Sequence, residues 1–175
     1  MEKNLVISAL GNDKPGIVNE LSKAILEQGG NITESRMTVL GGEFAMMLLV
    51  IGTQECIDNI ISKLDKTGEK LNLTLIAKET QPQQSKQKRL PYQITVISMD
   101  HPGIVHDISD FLSSRNLNIE EIETKTYPAA HTGTSMFSLD MTISIPADSS
   151  VRTLRDEFIT FCDDLNLDAS LESKR

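Results

Sequence analysis

The chain has 175 residues, 39% of them apolar, and carries 17 basic and 25 acidic side chains for a formal net charge of −8, enough length for two small globular units. That acidic balance argues against direct, phosphate-driven nucleic-acid binding, which needs a basic face to displace counterions. No apolar run nears the roughly 18 residues that span a bilayer, and the opening MEKNLVISAL lacks a leader pattern, so no membrane association and a cytoplasmic location are expected.

In chain order, residues 5–10 form a short apolar run that suits a buried strand, bounded by Gly11 and Asn12. A helix is expected next, with Asp13 as its cap, Pro15 in its first turn and Ile17, Val18, Leu21, Ala24 and Ile25 at helical spacing. Gly29-Gly30 stops it. Residues 31–39 read as a second strand, Gly41-Gly42 as a hairpin turn and residues 44–51 as a third strand. Ile57, Ile60, Ile61 and Leu64 mark a second helix ending near Gly68, and residues 73–77 a fourth strand. Residues 80–91, TQPQQSKQKRLP, are polar with two prolines and read as an exposed linker. After it the order returns. A strand over 93–99, a helix through Ile104, Val105, Ile108, Phe111 and Leu112, strands over 118–126 and 137–145, a helix through Val151, Leu154, Phe158 and Phe161, and a last strand over 168–171 are expected. The fold class is α+β: two tandem ferredoxin-like βαββαβ units, at 1–80 and 92–175, joined by a linker at 81–91, each an antiparallel four-stranded sheet with two helices on one face.

The duplication is visible in the letters. DKPGIV, from Asp13 to Val18, returns as DHPGIV, from Asp100 to Val105, and Asn-Ile follows each copy at Asn31 and Asn118. The offsets agree, 100 − 13 = 87 and 118 − 31 = 87, so each copy is one folding unit. In the third strand the offset becomes 137 − 44 = 93, which puts about six extra residues in the hairpin at 127–135. The unbroken run Met46-Met47-Leu48-Leu49 is either ordinary core or a sign that the nominally open face or edge is covered by the other unit or a second chain.

The retained residues fall at the strand-to-helix turn and at the start of the next strand, two places the topology is read as bringing together. A helix start offers unpaired N–H groups, at Gly16 and Ile17 and at Gly103 and Ile104, with a partial positive charge that suits a carboxylate. Gly16 and Gly103 let a ligand approach the backbone. Asp13 and Asp100 could meet an ammonium group, and Asn31 and Asn118 supply a donor and an acceptor. The set matches a free amino acid. Asp as a helix cap, Pro as a helix starter, Gly as a close-packing residue and Asn as a turn residue account for the same positions without a ligand.

Other chemistry finds less support. His101, His106 and His131 have no nucleophile motif beside them, and His101 and His106 with Asp100 and Asp107 lack the helix-face spacing of a metal site. Cys56 and Cys162 form no CxxC or Cys/His cluster and read as structural thiols. No phosphate-binding glycine motif is present and the chain is 4% aromatic, against an RNA-recognition module. No cofactor, metal or catalytic residue is expected.

LGNDKPGIV followed by GGNITESRM resembles the opening of ACT domains, amino-acid-sensing modules attached to many metabolic enzymes and regulators. In that family ligand sites lie at module interfaces and use the first loop with the start of the second strand. The resemblance therefore implies Asn12, Asp13, Gly16, Ile17, Asn31 and Ile32, with Met99, Asp100, Gly103, Ile104, Asn118 and Ile119 in the second copy. Serine-binding ACT modules often have Asn where this chain has Asp13 and Asp100, so ligand identity does not carry over. Two such modules and nothing else resemble the tandem-ACT regulators. That likeness implies a non-enzymatic repressor of the glycine cleavage operon that responds to a small amino acid, glycine first, and binds a transcriptional activator protein rather than DNA, with a homodimer left open. A ligand-independent interaction module and an ACT regulatory subunit of an amino-acid enzyme stand as alternatives.

Overall fold

The computed structural model describes residues 2–81 and 88–174, and the chain divides into two compact units between residues 84 and 85. The first unit runs β1 (Lys3–Asn12), α1 (Ile17–Leu26), β2 (Asn31–Leu40), β3 (Glu43–Gly52), α2 (Gln54–Leu71) and β4 (Leu73–Thr80). The second runs β5 (Arg89–Met99), α3 (Ile104–Ser113), β6 (Asn118–Pro128), β7 (Ser135–Pro146), α4 (Val151–Asp164) and β8 (Asp168–Ser173). Each makes one antiparallel sheet, in the orders β2-β3-β1-β4 and β6-β7-β5-β8. This is the expected pair of ferredoxin-like βαββαβ units.

Period-two burial in the strands meets helical periodicity in the helices. Leu5, Ile7 and Ala9 of β1 and Phe44, Met46, Leu48 and Val50 of β3 face Ile17, Leu21 and Ile25 of α1 and Ile57 and Ile60 of α2 in one core. Ile94, Val96, Leu139, Met141 and Ile143 face Ile104, Ile108, Leu112, Leu154 and Phe158 in the other. The run at 46–49 thus divides. Met46 and Leu48 point inward, whereas Met47 is 56% exposed on the side away from the helices.

Three expectations need correction. Asp13 does not cap α1: the N-cap is Gly16, and Pro15 precedes the helix. Gly68 does not end α2, which continues to Leu71 and stops at Asn72 with φ of 57°. A Cβ at Gly68 would stand 2.7 Å from the Leu73 carbonyl oxygen, so that glycine permits a close return of the chain rather than a break. The expected linker 81–91 is shorter at its far end, because β5 begins at Arg89 and Pro91 lies within it, its carbonyl accepting from the Lys174 N–H at 3.0 Å. Proline's missing N–H costs a single donor there. Residues 82–87 of that linker lie outside the described residues.

Candidate functional site

The two halves build the same unusual helix start. β1 leads through 13–15 to Gly16, whose φ of 91° is left-handed, and α1 begins at Ile17. β5 leads to Gly103, φ 101°, and α3 begins at Ile104. Neither helix has a side-chain cap hydrogen bond. The other two helices do. Thr53 Oγ1 accepts from the Cys56 N–H at 3.2 Å before α2, and Ser150 Oγ accepts from the Thr153 N–H at 3.5 Å before α4. The first-turn amides of α1 and α3 therefore keep the partial positive charge that the side-chain oxygens offset elsewhere.

Asn12, Asp13 and Gly16 are exposed around this start, as are Met99, Asp100 and Gly103. A Cβ at Gly16 would meet nothing within 4 Å, so the space over the backbone is open. Ile17 and Ile104, each 2% exposed, are core side chains that can offer a ligand only their backbone. Each loop is tied to the neighbouring hairpin: the Asp13 N–H donates to the Gly42 carbonyl at 3.1 Å, and the Asp100 N–H to the Ser135 carbonyl at 2.9 Å. The second loop differs in having Ser135 Oγ 3.5 Å from Asp100 Oδ2, and in facing a turn at 129–134 where the first unit has only Gly41 and Gly42. This is where the extra hairpin residues lie. The Ala129 N–H donates to the Thr134 carbonyl at 2.8 Å and the Gly133 N–H to the Ala129 carbonyl at 2.9 Å, which close that turn.

The asparagines are not part of either cluster. Asn31 pairs with Ile51 and Asn12 with Glu43, and 51 − 43 = 8 residues of β3 separate the two levels, about 26 Å at ~3.3 Å per residue. In the second unit Asn118 pairs with Ser144 and Met99 with Met136, again 144 − 136 = 8 residues apart. The expectation that loop and second-strand start adjoin within one unit is overturned. α1 and α3 each carry the chain the length of the sheet, so β2 and β6 begin at the opposite end. Ile32 and Ile119 pack against the cores beside those asparagines.

Sequence patterns gave no notice of two concavities in the first unit. A cavity of about 100 Å³ lies between α1, β2 and β3, bordered by Val18, Leu21, Ser22, Ile32, Ser35 and Met46. A cleft of about 340 Å³ between α1 and α2 has an apolar floor that includes Leu21, Ile25 and Ile60 and a charged mouth of Glu20, Lys63, Lys66 and Lys70. Lys70 Nζ stands 3.3 Å from Glu20 Oε2 across it. Residues from separate elements form both, so only the folded topology assembles them. Among the described residues no group of three or more His, Cys, Asp or Glu could hold a metal ion, and no helix is long and apolar enough to cross a membrane.

The ACT domain family model matches residues 3–78. The glycine cleavage system transcriptional repressor of Escherichia coli strain K12 is 29% identical over 167 residues, 95% of this chain and 88% of that protein. A UPF0237 protein of Methanocaldococcus jannaschii is 34% identical over 74 residues, 41% of this chain and 82% of its own length. The crystal structure of an unknown protein from Galdieria sulphuraria matches with a TM-score of 0.79 and 25% identity, covering 100% of both chains.

Proposed function

Because this chain belongs to the ACT-domain family, we propose that it is an amino-acid-responsive regulator rather than an enzyme, which represses transcription of the glycine cleavage operon by binding an activator protein and not DNA. The observation that carries the ligand half is the twice-built, uncapped helix start with an exposed aspartate beside it. Its N–H groups suit a carboxylate and Asp13 suits an ammonium group, and the pair describes an amino acid small enough to sit over a glycine. The likeness to the Escherichia coli repressor over 95% of the chain supports the regulatory half. The net charge of −8 favours a protein partner over a phosphate backbone.

Asn12, Asp13 and Gly16 are the ligand residues of the first loop in this reading, and Asp100 and Gly103 their less open counterparts. Asn31 and Asn118 join such a site only if another chain brings them to it. Glycine has about five heavy atoms, and at a ceiling of about 1.5 kcal/mol each its dissociation constant is no tighter than about micromolar. A sensor of a metabolite pool operates well above that, so glycine is titrated to millimolar levels while the melting temperature is followed. The wild type gains stability and Asp13→Ala abolishes the gain. No gain in wild type, or an equal gain in Asp13→Ala, sinks the assigned loop, and a gain that only Asn31→Ala removes moves the site to the other end of the sheet. Capture of the activator, relieved by glycine, tests the second half. A yield that ignores every amino acid makes the chain a constitutive interaction module, and recovery of a metabolic enzyme instead makes it a regulatory subunit.

A further inference from the structure

The two units treat the seam between their helices differently. At the repeat offset of 87, Ala24 of α1 corresponds to Phe111 of α3 and Gln28 to Arg115, since 111 − 24 = 87 and 115 − 28 = 87. In the second unit the Phe111 ring fills the seam against α4, its centroid 5.4 Å from that of Phe158 and 4.9 Å from that of Phe161. Arg115 closes it over, with Cζ 3.7 Å from the centre of the Phe111 ring and Nη2 2.9 Å from Glu157 Oε2. Outside those rings lies a more open depression of about 650 Å³ whose lining carries Asp110, Asp156, Glu157 and Asp164. In the first unit, among the described residues, no ring lines the seam. Ala24 leaves its cleft of about 340 Å³ open down to Leu21, Ile25, Ile60 and Leu71, all buried. The two walls of that cleft are also unlike, for α1 brings Glu20, Glu27 and Gln28 and α2 brings Lys63, Lys66 and Lys70. Exposed contacts tie wall to wall: Lys70 Nζ stands 3.3 Å from Glu20 Oε2, and Lys63 Nζ donates to Gln28 Oε1 at 2.7 Å. Lys63 thus meets a neutral amide, and Lys66 has no partner among the described residues. Residues three apart on a helix are neighbours, so these two ammonium groups stand together at one end of the mouth.

We propose that this cleft binds a small carboxylic acid with an apolar body, whose chain lies on the floor that Ala24 leaves open and whose carboxylate meets Lys63 and Lys66. An apolar floor with a few convergent polar groups at its mouth is the chemistry of a small-molecule site. A carboxylate is the matching head, because Lys63 and Lys66 offer ammonium donors that no protein carboxylate engages. Glu27 faces that end from α1 and is the group that limits affinity, since the antiparallel ties of 20 to 70 and 28 to 63 place it there. Size selects a small molecule over a partner helix. At roughly 30 Å³ for each water-sized group the cleft takes about ten non-hydrogen atoms, whereas a helix roughly 10 Å across would engage it over about one turn only. The second unit has no equivalent site, because Phe111 occupies the place of the chain and Glu157 already holds the cation. The cleft is separate from the helix-start loop, and the proposal does not depend on the glycine reading.

The test is isothermal titration calorimetry of the full chain with sodium octanoate, an acid of that size, to low millimolar concentration. Saturable uptake of one octanoate per chain is expected. Each buried methylene tightens binding by about fourfold, so hexanoate is expected to bind about tenfold more weakly or worse. Octan-1-ol keeps the chain but not the charge, and is expected to bind about tenfold more weakly. Ala24→Phe gives the first unit the ring that the second carries at the matching position, and is expected to abolish uptake with the circular dichroism spectrum unchanged. Lys63→Ala combined with Lys66→Ala, both at exposed positions, weakens octanoate about tenfold and leaves octan-1-ol unchanged, whereas Glu27→Gln tightens octanoate by removing a like charge. No saturable uptake, octan-1-ol bound as tightly as octanoate, or uptake that survives Ala24→Phe overturns the proposal. So does a cleft that holds an acidic amphipathic peptide and refuses octanoate, which makes it a partner groove. Should Ala24→Phe disturb the fold, the lysine pair and the octan-1-ol comparison decide alone.

Discussion

At Gly16 the requirement is on the backbone alone. Its φ is 91° and an added Cβ would touch nothing within 4 Å, so Gly16→Ala meets no clash and pays only for the left-handed conformation. A loss of about 1 to 2 kcal/mol is expected in urea unfolding. Asp13→Ala, three residues earlier, removes no cap and is expected to change stability by less than about 0.5 kcal/mol, so any effect it has on glycine response reads as binding rather than folding. The aspartate, proline and glycine of this segment were legible as a helix start, but which of them sits at the cap was not, because Asp and Gly both serve there and only the φ value separates them. Cys162 is a second residue-scale case. It is fully buried, and that burial, reinforced by the negative charge of Asp163, pushes its thiol up to about 12. Below that the folded protein keeps the thiol protonated and inert to a disulfide reagent at neutral pH, while the unfolded chain reacts. The unfolded thiol ionises at its ordinary value near 9.0, so unfolding releases a proton between there and about 12, and the cysteine's contribution to stability falls as pH rises through that window. Cys162→Ala removes that part of the slope.

Among the described residues, the four helices divide by how their starts are satisfied. α2 and α4 have hydroxyl caps from Thr53 and Ser150, whereas α1 and α3 have glycine and open amides. Thr53→Ala is expected to cost about 1 kcal/mol in chemical unfolding, and no substitution at Asp13 has a comparable cap to lose. Helix stops show the same logic. Gly30 is buried after α1, and a Cβ there would stand 2.8 Å from Ile25 Cγ2, 2.9 Å from Val50 Cγ1 and 3.1 Å from Ile60 Cδ1. Gly30→Ala must displace three core side chains, and a cost of about 1 to 3 kcal/mol is expected, with its melting temperature lowered accordingly. The elements and their order were legible because apolar periodicity and glycine punctuation report local structure. The position of Asn31 relative to Asp13 was not. A separation of 31 − 13 = 18 positions is compatible with adjacency, yet a helix of ten residues carries the chain the length of the sheet, and the register of β3 places the two at opposite ends.

At the scale of the molecule, identical topology has been given two different surfaces and two separate cores. The repeated offset of 87 residues reveals the topology, and the change to 93 locates the longer hairpin, but the difference in outer faces emerges only when FAMMLLV and FSLDMTI are placed in register. Alternate positions then separate, with Phe44, Met46, Leu48 and Val50 matched by Phe137, Leu139, Met141 and Ile143 inside, and Met47 opposed to Asp140 outside. A strand's two faces answer to different constraints, the inner to packing density and the outer to whatever meets it. The two core clusters have no residue in common, so a cavity made in one has no direct packing consequence in the other. Leu48→Ala empties a position 2% exposed at the centre of the first core, and a cost of about 2 to 5 kcal/mol is expected there. If cooperativity follows the cores, native-state hydrogen exchange accelerates in β1, β3 and α1 of that variant while amides of β5, β7 and α4 keep their wild-type rates. Acceleration spread equally over both units would show that the chain unfolds as one cooperative body in spite of its two cores.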